Sequence, residues 1–135
     1  MAKIDAAKIW SLNYRLLMTV ITSVIGKLGE LGLDSKELFV LAEIDDHPHP
    51  AELASTLCMP KPSVTVNLKS LEAAGFVRRE IDATDLRRHR LIVTPAGRKV
   101  MTRGLALLSD AFGTRLSRLS NAQQTELRSL LEKLS

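Results

Sequence analysis

The sequence predicts a mainly α chain carrying one small antiparallel β-hairpin (α+β), and three observations predict it. Between Pro50 and Ala74 two short helices flank a tight turn. Between Phe76 and Val93 two strands flank an arginine-rich loop, and the segments on either side read as long apolar helices. Helix, turn, helix, strand, loop, strand is the order of a winged helix-turn-helix, here with further helices at both ends.

The first long segment, roughly Asp5 to Leu31, lacks proline and is strongly apolar. Leu16, Leu17, Met18, Val20, Ile21, Val24, Ile25 and Leu28 cover more than the single stripe of a surface helix. Such a helix needs cover on more than one side, most simply from a second copy of the chain. A helix from Asp34 to about Ile44 follows, with Asp34 and Glu37 spaced as a capping box, and Asp45-Asp46-His47-Pro48 ends it. The first helix of the pair is Pro50 to Leu57, the turn Cys58-Met59-Pro60-Lys61, and the second helix Pro62 to Ala74, stopped by Gly75.

In that second helix Lys61 reads as N-cap and Pro62 as first helical residue, because proline has no N–H to leave unpaired there. Val64, Leu68 and Leu71 share one side; Ser63, Val66, Lys69, Ser70 and Ala73 lie on or near the other. The first set packs and the second is free. A helix N-terminus beside a lysine attracts phosphate, and small polar side chains allow approach to base edges in a major groove about 12 Å wide. The strands are Phe76 to Ile81 and Arg90 to Val93, with Val77, Ile81, Leu91 and Val93 expected to face inward. Arg87 and Arg88 project from the loop between them, suited to the negative potential of a narrow minor groove. Asp85, two residues before Arg87, is placed to accept from its guanidinium and set its direction.

Thr94-Pro95 reads as the cap and first residue of a long helix carrying Val100, Leu105, Leu107, Leu108, Phe112, Leu116 and Leu119. Gly104 and Gly113 interrupt it, for a bend or a close helix approach. Ser120 and Gln123 form a second capping box, opening a last helix with Leu127, Leu130, Leu131 and Leu134 on one face. The expected organisation is therefore a single domain over 1–135, with a winged-helix core at 34–97 and dimerisation helices at 1–31 and 98–135.

Charge supports one docking face. Residues 30–59 hold seven acidic side chains against one basic, whereas residues 60–103 hold ten basic against four acidic, so a polyanion would meet the second helix and the wing. A single cysteine excludes an internal disulfide framework and suits a reducing cytoplasm. The longest uncharged run near the N-terminus, between Arg15 and Lys27, is shorter than the roughly 20 apolar residues of a membrane span, so no membrane partner is expected. No nucleophile elbow, zinc-protease motif, phosphate loop or dinucleotide fingerprint occurs, so no enzyme activity and no cofactor is expected.

The chain resembles the MarR-type transcriptional regulators over nearly its whole length. Asp85-Leu86-Arg87 followed by Leu91-Ile92-Val93-Thr94-Pro95-Ala96-Gly97 resembles the family's D-x-R wing and the helix start after it. Glu52-Leu53-Ala54, Ser63-Val64-Thr65 and Leu71-Glu72-Ala73-Ala74-Gly75-Phe76-Val77 resemble its helix-turn-helix core. The resemblance implies a cytoplasmic homodimeric repressor on a near-palindromic operator, released by an effector. Each recognition helix would occupy a major groove, with Arg87 on the adjacent minor groove and Asp85 orienting it; the residues expected to bind DNA are Lys61, Pro62, Ser63, Thr65, Val66, Lys69, Arg87 and Arg88. Many members carry arginine directly after the threonine matching Thr65; Val66 stands there instead. A bidentate guanine contact from that position is lost, and Val66 offers contact with a thymine methyl. The alternative is a winged helix that binds a protein without DNA, for which Arg87 and Arg88 on a hairpin tip would be unnecessary.

Three features have two readings each. Trp10, Tyr14 and Met18 lie four apart on one helix face, as a dimer seam or as the lining of an effector pocket. Cys58 beside the recognition helix is a packed thiol or a redox sensor. Asp45, Asp46, His47 and His49 are a rigid proline-flanked loop or metal ligands, and the loop reading is preferred.

Overall fold

A computed structural model describes residues 3–135, with element order α1 (Ala6–Glu30), α2 (Ser35–Glu43), α3 (Pro50–Leu57), α4 (Lys61–Ala73), β1 (Val77–Ile81), β2 (His89–Val93), α5 (Pro95–Leu116) and α6 (Asn121–Leu134). The chain divides into two compact units, Ile25–Ala106 and the N-terminal segment through Val24 with Leu107–Ser135.

In the Ile25–Ala106 unit the caps behave as their residue types dictate. Asp34 accepts the Glu37 N–H at 2.7 Å while the Glu37 carboxylate accepts the Asp34 N–H at 3.1 Å, satisfying two donors that open α2. Asp34→Ala is expected to lower the unfolding free energy by about 1 kcal/mol, measured by urea titration. The core joins Leu28, Leu33, Leu38, Val40, Leu41, Ile44, Leu53, Val64, Leu68, Leu71, Val77, Leu91 and Val93, all buried. Gly104 of α5 lies against the Leu28 and Leu38 side chains, a close approach that a larger residue would obstruct, whereas Gly113 has no neighbour within 4 Å beyond its own helix.

Three expectations are corrected here. The recognition helix begins one residue early: Lys61 is its first residue, Pro62 its second, and Pro60 the cap. Pro60, at φ −60° and ψ 141°, turns its carbonyl to accept from Ser63 and Val64, so the turn of helix closes on Pro60 rather than on Lys61. Ile81 is exposed rather than inward. It pairs with His89 at the far end of the hairpin, while Val77 pairs with Val93 at the core end, roughly 13 Å away along the strand. Finally, α1 runs for 25 residues and by length and composition alone is long and apolar enough to cross a membrane. The uncharged run underestimates it because one arginine, Arg15, does not interrupt a helix.

In the other unit, Ser120 and Gln123 cap α6 reciprocally, at 3.2 and 2.9 Å. Its Gln124 amide also donates to the Leu116 carbonyl at the end of α5 and to the Leu119 carbonyl in the turn that follows. Much of this unit's apolar surface has no cover in a single chain: Ile9, Trp10, Leu12, Tyr14, Leu17, Leu130, Leu131 and Leu134 are all exposed.

Candidate nucleic-acid interface

The helix-turn-helix is shaped by its turn. Cys58 ends α3 in the left-handed region, at φ 53°, and its N–H is retained by the Ala54 and Ser55 carbonyls. That conformation reverses the chain into Pro60 and α4. The thiol is exposed, 3.9 Å from the Ser55 carbonyl.

Along α4, Val64, Leu68 and Leu71 are buried as their spacing predicts, joined by Asn67. Opposite them Lys61, Pro62, Thr65, Val66, Lys69 and Ser70 are exposed and Ser63 half-buried. Val66 is 66% exposed, which places an apolar side chain in water unless something covers it. The Thr65 hydroxyl donates to the Lys61 carbonyl at 3.1 Å, so toward solvent it acts as an acceptor.

The wing is ordered by its own side chains. Asp82 Oδ1 accepts the Thr84 N–H and hydroxyl at 2.9 and 2.7 Å, and the Asp82 N–H donates to the Arg88 carbonyl at 2.9 Å, closing the loop. The Asp82 carboxyl is held below the usual carboxylate range by the Thr84 hydroxyl, then by the Thr84 amide, with smaller help from His49 and Arg88. Asp85 accepts from Arg87, but from its main-chain N–H at 3.0 Å and not from its guanidinium as the sequence suggested. A two-residue separation brings the carboxylate back onto the peptide before it reaches the end of the side chain.

The two wing arginines differ. Arg88 lies 3.6 Å from Glu52 of α3, which also faces His47 at 3.9 Å. Among the described residues, Lys61, Lys69, Arg87 and Arg90 have no carboxylate within 4.0 Å, whereas Arg78 pairs with Glu80, Arg79 with Glu72 and Arg98 with Asp45. Arg98 makes two hydrogen bonds to Asp45, at 3.0 and 3.1 Å, and these hold the Asp45 carboxyl below its ordinary range. Lys61, Lys69, Arg87 and Arg90 therefore place unpaired cations on α4 and the hairpin. Arg90 belongs to this set, although its place in a strand hid it; exposure on β2 is the only sign that identifies it.

The side chains of Asp45, His47 and His49 go to separate partners, Arg98, Glu52 and Asp82. On α1 the Trp10 and Tyr14 rings are 6.3 Å apart, tilted by 37°. Tyr14 and Met18 line a shallow surface with Ser11, Arg15 and Thr22, all from the same helix, and one helix cannot enclose a ligand.

A MarR family model matches residues 31–88. The HTH-type transcriptional repressor Rv2887 of Mycobacterium tuberculosis is 31% identical over 132 residues, covering 96% of this chain and 95% of that protein. The transcriptional regulator BldR from Sulfolobus solfataricus superposes with a TM-score of 0.83 at 27% identity, over 99% of this chain and 97% of that one. The crystal structure of Rv2887 in complex with p-aminosalicylic acid superposes with a TM-score of 0.74 at 30% identity, over 92% and 95%. Kinship that spans nearly the full length of both chains, and not the winged helix alone, makes this chain a member of the MarR family of transcriptional regulators.

Proposed function

We propose that the chain is a cytoplasmic homodimeric repressor that binds a near-palindromic duplex, with α4 in the major groove and Arg87 on the adjacent minor groove. The observation that carries this reading is that Lys61, Lys69 and Arg87, on α4 and the wing, are exposed without carboxylate partners among the described residues, while Arg78, Arg79 and Arg98 are paired. Val66 on the same face suits a thymine methyl, and Lys69 a guanine or a phosphate. Arg88, beside Glu52, contributes a weaker field.

Residues 1–31 and 98–135 would supply the dimer interface, since their exposed apolar side chains need cover that a second copy provides. Two α4 helices one DNA turn apart, about 34 Å, then demand the palindrome. A small-molecule effector would release the dimer by changing that separation; support comes from the relative solved with p-aminosalicylic acid.

Selection of bound duplexes from a randomised pool at near-physiological salt tests the reading, because non-specific affinity is dominated by salt. A near-palindrome is the expected product. Lys69→Ala is expected to enrich a different sequence at the positions under α4. Weak, salt-sensitive binding with no enriched sequence would count against DNA recognition and favour a protein-binding winged helix.

A further inference from the structure

All three histidines of the chain, His47, His49 and His89, lie where the wing meets the segment before α3. His49 stands between two acceptors. Its Nε2 is 3.3 Å from Asp82 Oδ2, and its Nδ1 is 3.3 Å from the main-chain carbonyl of His89 on β2. Neither partner has a proton to give. The carbonyl only accepts, and Asp82, with Thr84 donating twice to its other oxygen, is an ionised carboxylate.

A neutral imidazole carries one N–H and one lone pair, so it would turn a lone pair toward one of the two acceptors. Only the imidazolium donates to both. The His49 and Asp82 side chains are 13% and 12% exposed, which limits the water available to replace a lost partner. The same junction is fastened on the main chain, where the Leu91 N–H of β2 donates to the Pro48 carbonyl at 2.8 Å.

We infer that His49 is a positioning residue for DNA binding: charged, it clamps Asp82 and β2 to the segment before α3 and sets the distance from Arg87 to α4; neutral, it lets one contact go. This rests on the wing being a DNA contact. The charged and titratable groups around the clamp are Asp82 and Arg88 from the wing loop, His89 from β2, Glu52 from α3 and His47 from its own segment. Glu52 is shared by Arg88 and His47, while Asp82 faces His49.

The test has two arms on the full chain. In the first, a labelled duplex from the enriched pool is titrated between about pH 6 and about pH 8, the interval in which imidazoles ordinarily change charge. Wild type is expected to bind about tenfold more weakly at the upper end, the effect of one charge-assisted hydrogen bond. His49→Gln is expected to reduce that ratio to about twofold, and His47→Gln to preserve it. An unchanged ratio in His49→Gln, or its loss in His47→Gln, overturns the assignment.

In the second arm, NMR of the wild-type protein without DNA follows the His49 ring nitrogens and the amides of Thr84 to Arg88. Wing amides that shift with the His49 titration support the clamp, and wing amides indifferent to it refute it. Should the protein bind no duplex at any pH, the DNA reading fails while this arm still decides whether the clamp exists.

Discussion

Gly97→Ala is expected to destabilise the protein by about 3 kcal/mol or more, beyond an ordinary core substitution, because an added methyl has nowhere to go. A Cβ on Gly97 would stand 2.0 Å from the Phe76 carbonyl oxygen and 2.8 Å from its carbon. Those atoms are main chain, and the same carbonyl accepts the Thr94 N–H at 3.0 Å. Thr94 also donates its hydroxyl to the Gly75 carbonyl at 2.6 Å while accepting the Gly97 N–H at 3.0 Å. Moving the start of α5 aside therefore breaks the joint between the recognition helix, the hairpin and α5. A melting temperature lower by roughly 10 °C or more is expected for a chain of this size. Gly113→Ala supplies the control: no neighbour lies within 4 Å, so the same methyl is expected to be neutral or slightly stabilising. Equal melting temperatures for the two variants would show that α5 can shift without harm and would refute the packing described.

Arg87→Ala is expected to weaken specific DNA binding by tenfold to a hundredfold, on the order of 1–3 kcal/mol. Arg87 is exposed at the wing with no carboxylate within 4.0 Å among the described residues, and its main chain is held by Asp85 at 3.0 Å. It therefore presents a full charge from a fixed backbone. Arg88→Ala is expected to cost less, since part of the Arg88 field is already answered by Glu52 at 3.6 Å. Fluorescence anisotropy with the enriched duplex, at two salt concentrations, separates the two variants. Loss of one released counterion reduces the salt slope by about 1. Affinity and slope unchanged by Arg87→Ala would remove the wing from the DNA interface. The ordering also checks Asp85: Asp85→Ala leaves the Arg87 charge but frees its peptide, and an intermediate loss is expected.

Much of the local structure follows from short-range chemistry, which is why it is legible in the residues. Asp34 with Glu37, Ser120 with Gln123, and Thr94 before Pro95 all cap the helices that their spacing announces. Each such cap involves groups at most three residues apart, so no other part of the chain is needed to decide it. Val64, Leu68 and Leu71 are buried for a related reason: one helix period places them together whatever they pack against.

The first residue of α4 was not legible in this way, because Lys61 between two prolines satisfies the local preferences of both a cap and a helical position. Ile81 was misjudged since alternation describes which face a residue takes, not whether the core extends far enough to cover it. The exposure of α1 likewise depends on what surrounds it. The partners of the charged residues were hidden most completely. Asp45 and Arg98 are 53 positions apart, and the His49 contact with the His89 carbonyl spans 40.

Residue type and spacing alone therefore specify the winged helix-turn-helix, the Asp34, Thr94 and Ser120 caps, the face of α4 that packs and the arginines of the wing, because these depend on neighbours within one or two helical turns. Contacts between distant segments decide which of those arginines is free and that His49 is set between Asp82 and the His89 carbonyl. An ion pair or a shared proton forms only where folding brings two groups within about 4 Å, and nothing in the linear order of residues carries that distance.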